Sequence, residues 1–311
     1  MYPIFDLHCD TILECAKRQA PLLENTLHVD IKKLRAADSY AQCFAIFVDK
    51  QECLKEGVGA YEKYKQVLRC FRQELANNET QIAQALCVQD IVKNRNQGKL
   101  SAVLTVEGGE VLEGREERLE ELYRDGVRLM TLTWNYENEL SDANGRDGGL
   151  KPFGYMVLER MNELGMIADV SHISDRGFFD VLAHSKRPVV ASHSCARAIC
   201  PHNRNLTDEM LHKIGCGGGV VGLNFYSRFL QKDSPYATME QVLEHALHIV
   251  NKAGIEALAL GSDFDGIDCE LEWKDMSGMP GLLRYMEAHF SASEMEKICY
   301  RNAQRIFEAH S

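Results

Sequence analysis

Ile4-Phe5-Asp6-Leu7-His8-Cys9-Asp10 is a short apolar run whose C-terminal end carries a histidine and a carboxylate two residues apart. Residues spaced by two share one face of an extended strand, where they can hold a divalent cation together. The same design recurs as AQCFAIFVD (41–49), SAVLTVEG (101–108), GVRLMTLTW (126–134), MIADVSH (166–172), PVVASHS (188–194), GVVGLNFY (219–226) and ALALGSDFDG (257–266). With the first run these make eight, the number a closed βα barrel needs, and polar residues end most of them.

Between the runs lie segments with helical periodicity, among them EGVGAYEKYKQVLRCFRQEL, KPFGYMVLERMNELG, SDRGFFDVLAHSK and TMEQVLEHALHIVNKAG, and SASEMEKICYRNAQRIFEAH follows the last run. Serine or threonine precedes several of them as an N-cap. Near-continuous apolar strands alternating with helices predict a parallel sheet covered on both faces. The expected fold class is therefore α/β, a (β/α)8 TIM barrel of the metal-dependent hydrolase type, in one domain over residues 1–311. An open doubly wound sheet would gather its site at a switch in strand order, whereas here the polar residues are spread over most strand ends.

At 311 residues and 45% hydrophobic composition, the chain can bury a large core. A net charge of -11 argues against nucleic acid or an anionic membrane as its main partner. There is no basic segment followed by an apolar one at the start, and no apolar stretch approaches the roughly 20 residues of a membrane span, so a cytoplasmic location is expected. The eleven cysteines are odd in number, irregularly spaced and lack a CxxC pair, which reads as reduced thiols rather than a disulfide framework.

Strict strand alternation sends Ile4, Asp6, His8 and Asp10 inward and Phe5 and Leu7 toward covering helices. It sends Ser101, Val103, Thr105 and Glu107 inward in the third strand, Ala168, Val170 and His172 in the fifth, and Val189, Ala191 and His193 in the sixth. His8, Asp10, Glu107, His172 and His193 then meet at one end of the barrel as a dinuclear metal site, with Asp263 ending the eighth strand. A carboxylate placed like Glu107 can bridge two ions. Cys9 points away from its neighbours, which makes it a packing residue. His28, His184, His212, His245, His248, His289 and His310 read as surface residues, while His202, near Arg204, lies close enough to line the site. The Gly215–Gly222 segment GCGGGVVG precedes a strand, so it is no phosphate loop, and without GxSxG a serine triad has no anchor.

DLHCDT, TVEGGE, DVSH, ASHSCARAICPHNRN and GSDFDG, in this order along nearly the whole chain, resemble the membrane (renal) dipeptidase family, the M19 metallopeptidases of the amidohydrolase superfamily. The resemblance implies two Zn2+ per chain: one on His8 and Asp10, a second on His172 and His193, and Glu107 bridging both. It implies that Arg204 binds the terminal carboxylate of a dipeptide and that Asp263 handles protons and meets the substrate. Both roles suit the chemistry, since a guanidinium matches a carboxylate bidentately and an aspartate can accept a proton from an activated water.

One departure concerns Trp134, which stands in LTWNYENELSD where animal members carry a histidine that contacts the substrate carbonyl. Asn135, Tyr136 and Tyr226 are the nearby polar candidates to line the pocket with Trp134. The resemblance implies small dipeptide substrates and a homodimer. The secretion signal, lipid anchor and disulfides of animal members are not seen in this sequence, which fits a cytoplasmic relative. The expected activity is zinc-dependent dipeptide hydrolysis through a hydroxide bridging two metals. The alternative is another metal-dependent amidohydrolase acting on N-acyl amino acids, lactones or cyclic amides. A catalytically silent scaffold would not need all five ligands and Asp263.

Overall fold

The computed structural model describes residues 2–311. Eight strands form its centre: β1 (Ile4–Asp6), β2 (Ser39–Phe47), β3 (Leu100–Glu107), β4 (Val127–Thr131), β5 (Ile167–Asp169), β6 (Val190–Ser194), β7 (Val220–Leu223) and β8 (Leu258–Leu260). Each pairs in parallel with the next, and β8 returns to β1 through Asp6 and Leu260, so the sheet closes into the expected (β/α)8 barrel. An additional strand, Ile82–Gln84, pairs with the start of β3 and was not among the eight runs. The helices follow the patterned segments: Ala60–Asn77, Pro152–Leu164, Asp175–His184 and Met239–Ala253 cover the barrel. Ser174, Thr238 and Ser291 each cap a helix with a side-chain oxygen, as their positions suggested, and Thr207 caps the additional helix Asp208–Cys216.

Two apolar layers hold this arrangement. One cluster takes Phe5, Ala41, Val103, Leu129, Ile167, Val190, Val220 and Ala259, one from each strand, and fills the barrel interior. It continues onto Ala303, Ile306 and Phe307 of the helix Asn302–Ala309, with the Phe5 and Phe307 rings 5.1 Å apart, so this helix plugs the end opposite the site. A second layer packs the outer strand faces, including Ile4, Leu104, Val106, Ala168, Val170 and Ala191, against the helices. Cys9 belongs to this outer layer, in agreement with its reading as a packing residue.

These layers correct three of the alternation assignments. In β1 the interior residue is Phe5, followed by Leu7 just past its end, not Ile4; in β5 the interior residue is Ile167, not Ala168 or Val170; in β6 it is Val190, not Ala191. The reason is that period two holds only while the strand lasts. The β1 register slips between Ile4 and Phe5 and the strand stops at Asp6, β5 stops at Asp169, and the β6 register shifts between Ala191 and Ser194. His8, Asp10, His172 and His193 therefore reach the barrel mouth on irregular backbone beyond or within a break. β3 runs unbroken through Glu107 although its register against β4 shifts between Leu104 and Thr105, and there Val103, Thr105 and Glu107 keep the expected inward phase.

His245 and His310 are also corrected, since both are buried rather than on the surface. His245 Nδ1 accepts from the Ala196 N–H at 3.0 Å and its Nε2 meets the Leu230 carbonyl at 2.9 Å, which ties the loop after β6 to the one after β7.

Candidate metal centre

Above the apolar floor the barrel interior turns polar, and His8, Asp10, Glu107, His172 and His193 converge there with Asp263, all but Asp263 fully buried. Glu107 sits in the middle. Its Oε1 lies 2.9 Å from His172 Nε2 and 3.4 Å from His193 Nε2, while its Oε2 lies 3.7 Å from His8 Nε2. His8 Nε2 is also 3.3 Å from Asp10 Oδ2 and 3.8 Å from Asp263 Oδ1. Two overlapping groups result, His8–Glu107–His193 and His8–Asp10–Asp263, each with donor atoms within 4.8 Å of one another.

The electrostatics of this donor set fit divalent cations. Burial, with the positive charges of Arg204 and His8 adding, pushes His172 and His193 well below the ordinary histidine range, so both rings are neutral bases near neutral pH. Their Nε2 atoms nevertheless face each other at 2.9 Å. Burial opposes a charge on His8, but Glu107 and Asp10 overcome it and raise that imidazole to about 10. Burial pushes Glu107 well up, with Asp10 and Asp263 adding. Asp10 Oδ1 and His8 Nδ1 are buried without a hydrogen-bond partner. Three carboxylates and two neutral imidazoles, with His8 drawn toward the carboxylates, form an acceptor-rich site that a cation satisfies.

Local backbone and neighbours aim these groups. His172 has φ +69° and Asp263 φ +61°, left-handed conformations that turn both side chains to the mouth after their strands end. Asn135 Oδ1 lies 2.9 Å from His172 Nδ1; an amide oxygen accepts, so the ring proton sits on Nδ1 and Nε2 keeps its lone pair. Asn144 holds Asn135 in turn at 3.1 Å. Asn224 donates to Asp263 Oδ2 at 2.9 Å, leaving Oδ1 toward His8. Burial, with Asp10 adding, raises the Asp263 carboxyl to about 6. Asp265, two residues on, accepts from Thr11 Oγ1 at 2.5 Å and His28 N at 2.6 Å, pinning the turn after β8 to the first helix.

The centre opens into a cleft of about 440 Å³. Phe47, Trp134, Tyr226 and Phe229 line it, and Glu14, Lys17 and Asp268 stand at its rim. Trp134 packs on Phe47 with ring centroids 4.6 Å apart and on Tyr136 at 5.4 Å. Arg204 is buried beside the centre, with Nη2 3.4 Å from the His193 carbonyl, Phe229 beneath its guanidinium and Nε unpartnered. His202 Nδ1 accepts from the Arg204 N–H at 3.1 Å and its ring packs on Phe229. Asn135 and Asn224 were not legible as positioning residues: Asn135 sits in a polar loop four residues past the end of β4, and Asn224, directly after β7, carries no mark in the sequence of the partner it holds.

The model of the membrane dipeptidase family, peptidase family M19, matches residues 1–311. The chain belongs to peptidase family M19. An uncharacterized protein of Klebsiella pneumoniae from the pqqA 5′ region is 34% identical over 258 residues, covering 78% of this chain and 94% of that protein. Dipeptidase tcpJ of Claviceps purpurea is 30% identical over 295 residues, 90% of this chain and 68% of that one. A Rhodobacter sphaeroides metallopeptidase, solved with a phosphinate mimic of the dipeptide L-Ala-D-Ala, superposes with a TM-score of 0.92 at 25% identity, covering 100% of this chain and 99% of that chain. This M19 chain is a hydrolase of the metallodipeptidase class, as the sequence motifs implied. Among the described residues no helix is long and apolar enough to cross a membrane.

Proposed function

We propose that this M19 enzyme cleaves dipeptides at a dinuclear zinc centre. His8 and Asp10 would hold one ion, His172 and His193 the other, and Glu107 both. The observation that carries this reading is that the two oxygens of Glu107 face different imidazole sets, Oε1 toward His172 and His193 and Oε2 toward His8. Ions held by these residues would supply Lewis acidity toward the scissile carbonyl and would lower the pKa of the attacking water to about 7. Zinc suits the mixed imidazole and carboxylate donors.

The chain's own residues do the rest. Arg204, desolvated and with Nε free, pairs with the substrate's terminal carboxylate and fixes the peptide in the cleft. Asp263 Oδ1 takes the proton of the attacking water and passes it to the leaving amine, while Asn224 holds Oδ2 still. The aromatic walls exclude bulk water and strengthen each of these interactions. We further propose a cytoplasmic enzyme in a single catalytic domain, working as a homodimer.

A second reading, hydrolysis of N-acyl amino acids, lactones or cyclic amides, draws support from Trp134, which lines the cleft and stands in the sequence where the resemblance implies a carbonyl-binding histidine in animal members. Purified enzyme should release free amino acids from a panel of L,L- and L,D-dipeptides, lose that activity to a chelator, and carry close to two metals per chain. The Arg204→Met variant should lose about 100-fold or more on dipeptides and little on their C-terminal amides. Two metals per chain with no dipeptide turnover would discard the substrate, and turnover of N-acyl amino acids or lactones would then establish the second reading.

A further inference from the structure

We infer that Asp169, acting through Ser192, is the positioning residue for His193; the inference rests on the reading of His193 as a metal ligand. Asp169 ends β5 inside the barrel, fully buried, and is not itself among the groups that converge on the centre. Its Oδ1 accepts from the Ser171 and Ser192 backbone N–H groups, each at 2.9 Å. Its Oδ2 accepts from Thr131 Oγ1 at 2.6 Å and Ser192 Oγ at 2.5 Å.

The proton bookkeeping then leaves one arrangement. A serine hydroxyl has a single proton, and Ser192 gives it to Asp169. Its oxygen lies 2.8 Å from His193 Nδ1 and can meet that atom only as an acceptor. His193 therefore carries its proton on Nδ1 and presents the Nε2 lone pair toward Glu107. The two histidines of the second ion are thus aimed by unlike devices, His172 by a neutral amide on a loop and His193 by a carboxylate relay inside the barrel. The relay sits where the β6 register breaks, and the His193 N–H bond to Ser171 Oγ at 3.2 Å ties that backbone to the same cluster. Asp169 also contributes negative charge to the buried Arg204.

Ser192→Ala removes the relay, whereas Thr131→Val removes a different donor to the same Asp169 oxygen without touching His193. In chelator competition on the zinc-loaded enzyme, Ser192→Ala should weaken at least one of the two bound zincs by about 10–100-fold. Thr131→Val should change it less than threefold. Equal losses would make the cluster merely structural, and an unaltered Ser192→Ala would overturn the relay. Should Ser192→Ala not fold, the zinc-loaded parent decides by nitrogen-15 NMR: a slowly exchanging proton on His193 Nδ1 supports the relay, and zinc on Nδ1 refutes it. Parent-like zinc affinity in His193→Ala would instead remove the ligand reading on which the inference stands.

Discussion

Gly266 closes the turn that follows β8, and a methyl group there tests the geometry of the centre without removing any functional atom. A Cβ built on Gly266 falls 2.3 Å from Asp10 Oδ2 and 2.6 Å from Asp263 Oδ1. Ordinary contact begins at 3.4 Å, so Gly266→Ala forces one or both carboxylates, or the turn itself, to move by about 1 Å. The backbone does not demand glycine here, because Gly266 is absent from the positive-φ residues, so the effect is one of contact alone. A misplacement of about 1 Å in a reacting site is worth about 100-fold in rate, equivalent to about 2.7 kcal/mol. The Gly266→Ala enzyme should therefore lose about two orders of magnitude in kcat/KM for dipeptides while its far-ultraviolet circular dichroism stays unchanged. Kinetics on the most rapidly cleaved dipeptide, with metal content measured in parallel, is the assay. A variant within threefold of the parent at full metal content would refute the argument that these two carboxylates must be held where they lie.

Asp263→Asn removes the proton acceptor and keeps the shape, so kcat should fall by about 10²–10⁴-fold with the chain still folded. Asp263 serves as a base only when ionised; the parent's kcat/KM should therefore decline as pH drops through a value at or below about 6, since bound cations can only lower that carboxyl further. The same pH limb should be missing from the residual activity of Asp263→Asn, and its persistence would assign it to another group. Trp134→Ala opens the aromatic wall beside Phe47 and should raise KM by about 10-fold for dipeptides with large apolar side chains while leaving Gly-Gly nearly unaffected, by loss of one ring's buried area; equal effects on both would place Trp134 outside the substrate's reach. Phe307→Ala unplugs the lower end of the barrel, far from the ligands, and should cost about 3–5 kcal/mol in a denaturant titration. Unchanged stability would contradict the interior packing described for this helix.

The barrel was legible because its strands are apolar on both faces and each begins or ends at a recognisable boundary, so eight runs could be counted from side-chain type alone. That His8, Asp10, Glu107, His172, His193 and Asp263 gather in one place was legible for a related reason: each interrupts apolar sequence near a strand end. How they reach the site was not. Alternation gave the inward phase of β3 through Glu107 but reversed the faces of β1, β5 and β6, since a strand break or a left-handed residue such as His172 changes the phase without any mark in composition. The positioning groups were hidden more deeply. Asn135 and Asn224 each meet the site through a single side-chain hydrogen bond and Ser192 through two, and the partners of His245 are the backbone at Ala196 and Leu230, which no side-chain pattern can show.

The seam between β1 and β8 sets an order of events during synthesis. Asp6 pairs with Leu260 and accepts both the backbone N–H and the hydroxyl of Ser262, so the first strand finds its second neighbour only after about 250 further residues have been made. His8 and Asp10 meet Asp263 across that same seam. A nascent chain on the ribosome can stack its early strands on their helices, but the ring stays open and the acidic pocket has no fixed shape until the eighth strand has cleared the exit tunnel. Metal capture is therefore a late event, and a chain stalled before Leu260 exposes two unpaired strand edges to its neighbours.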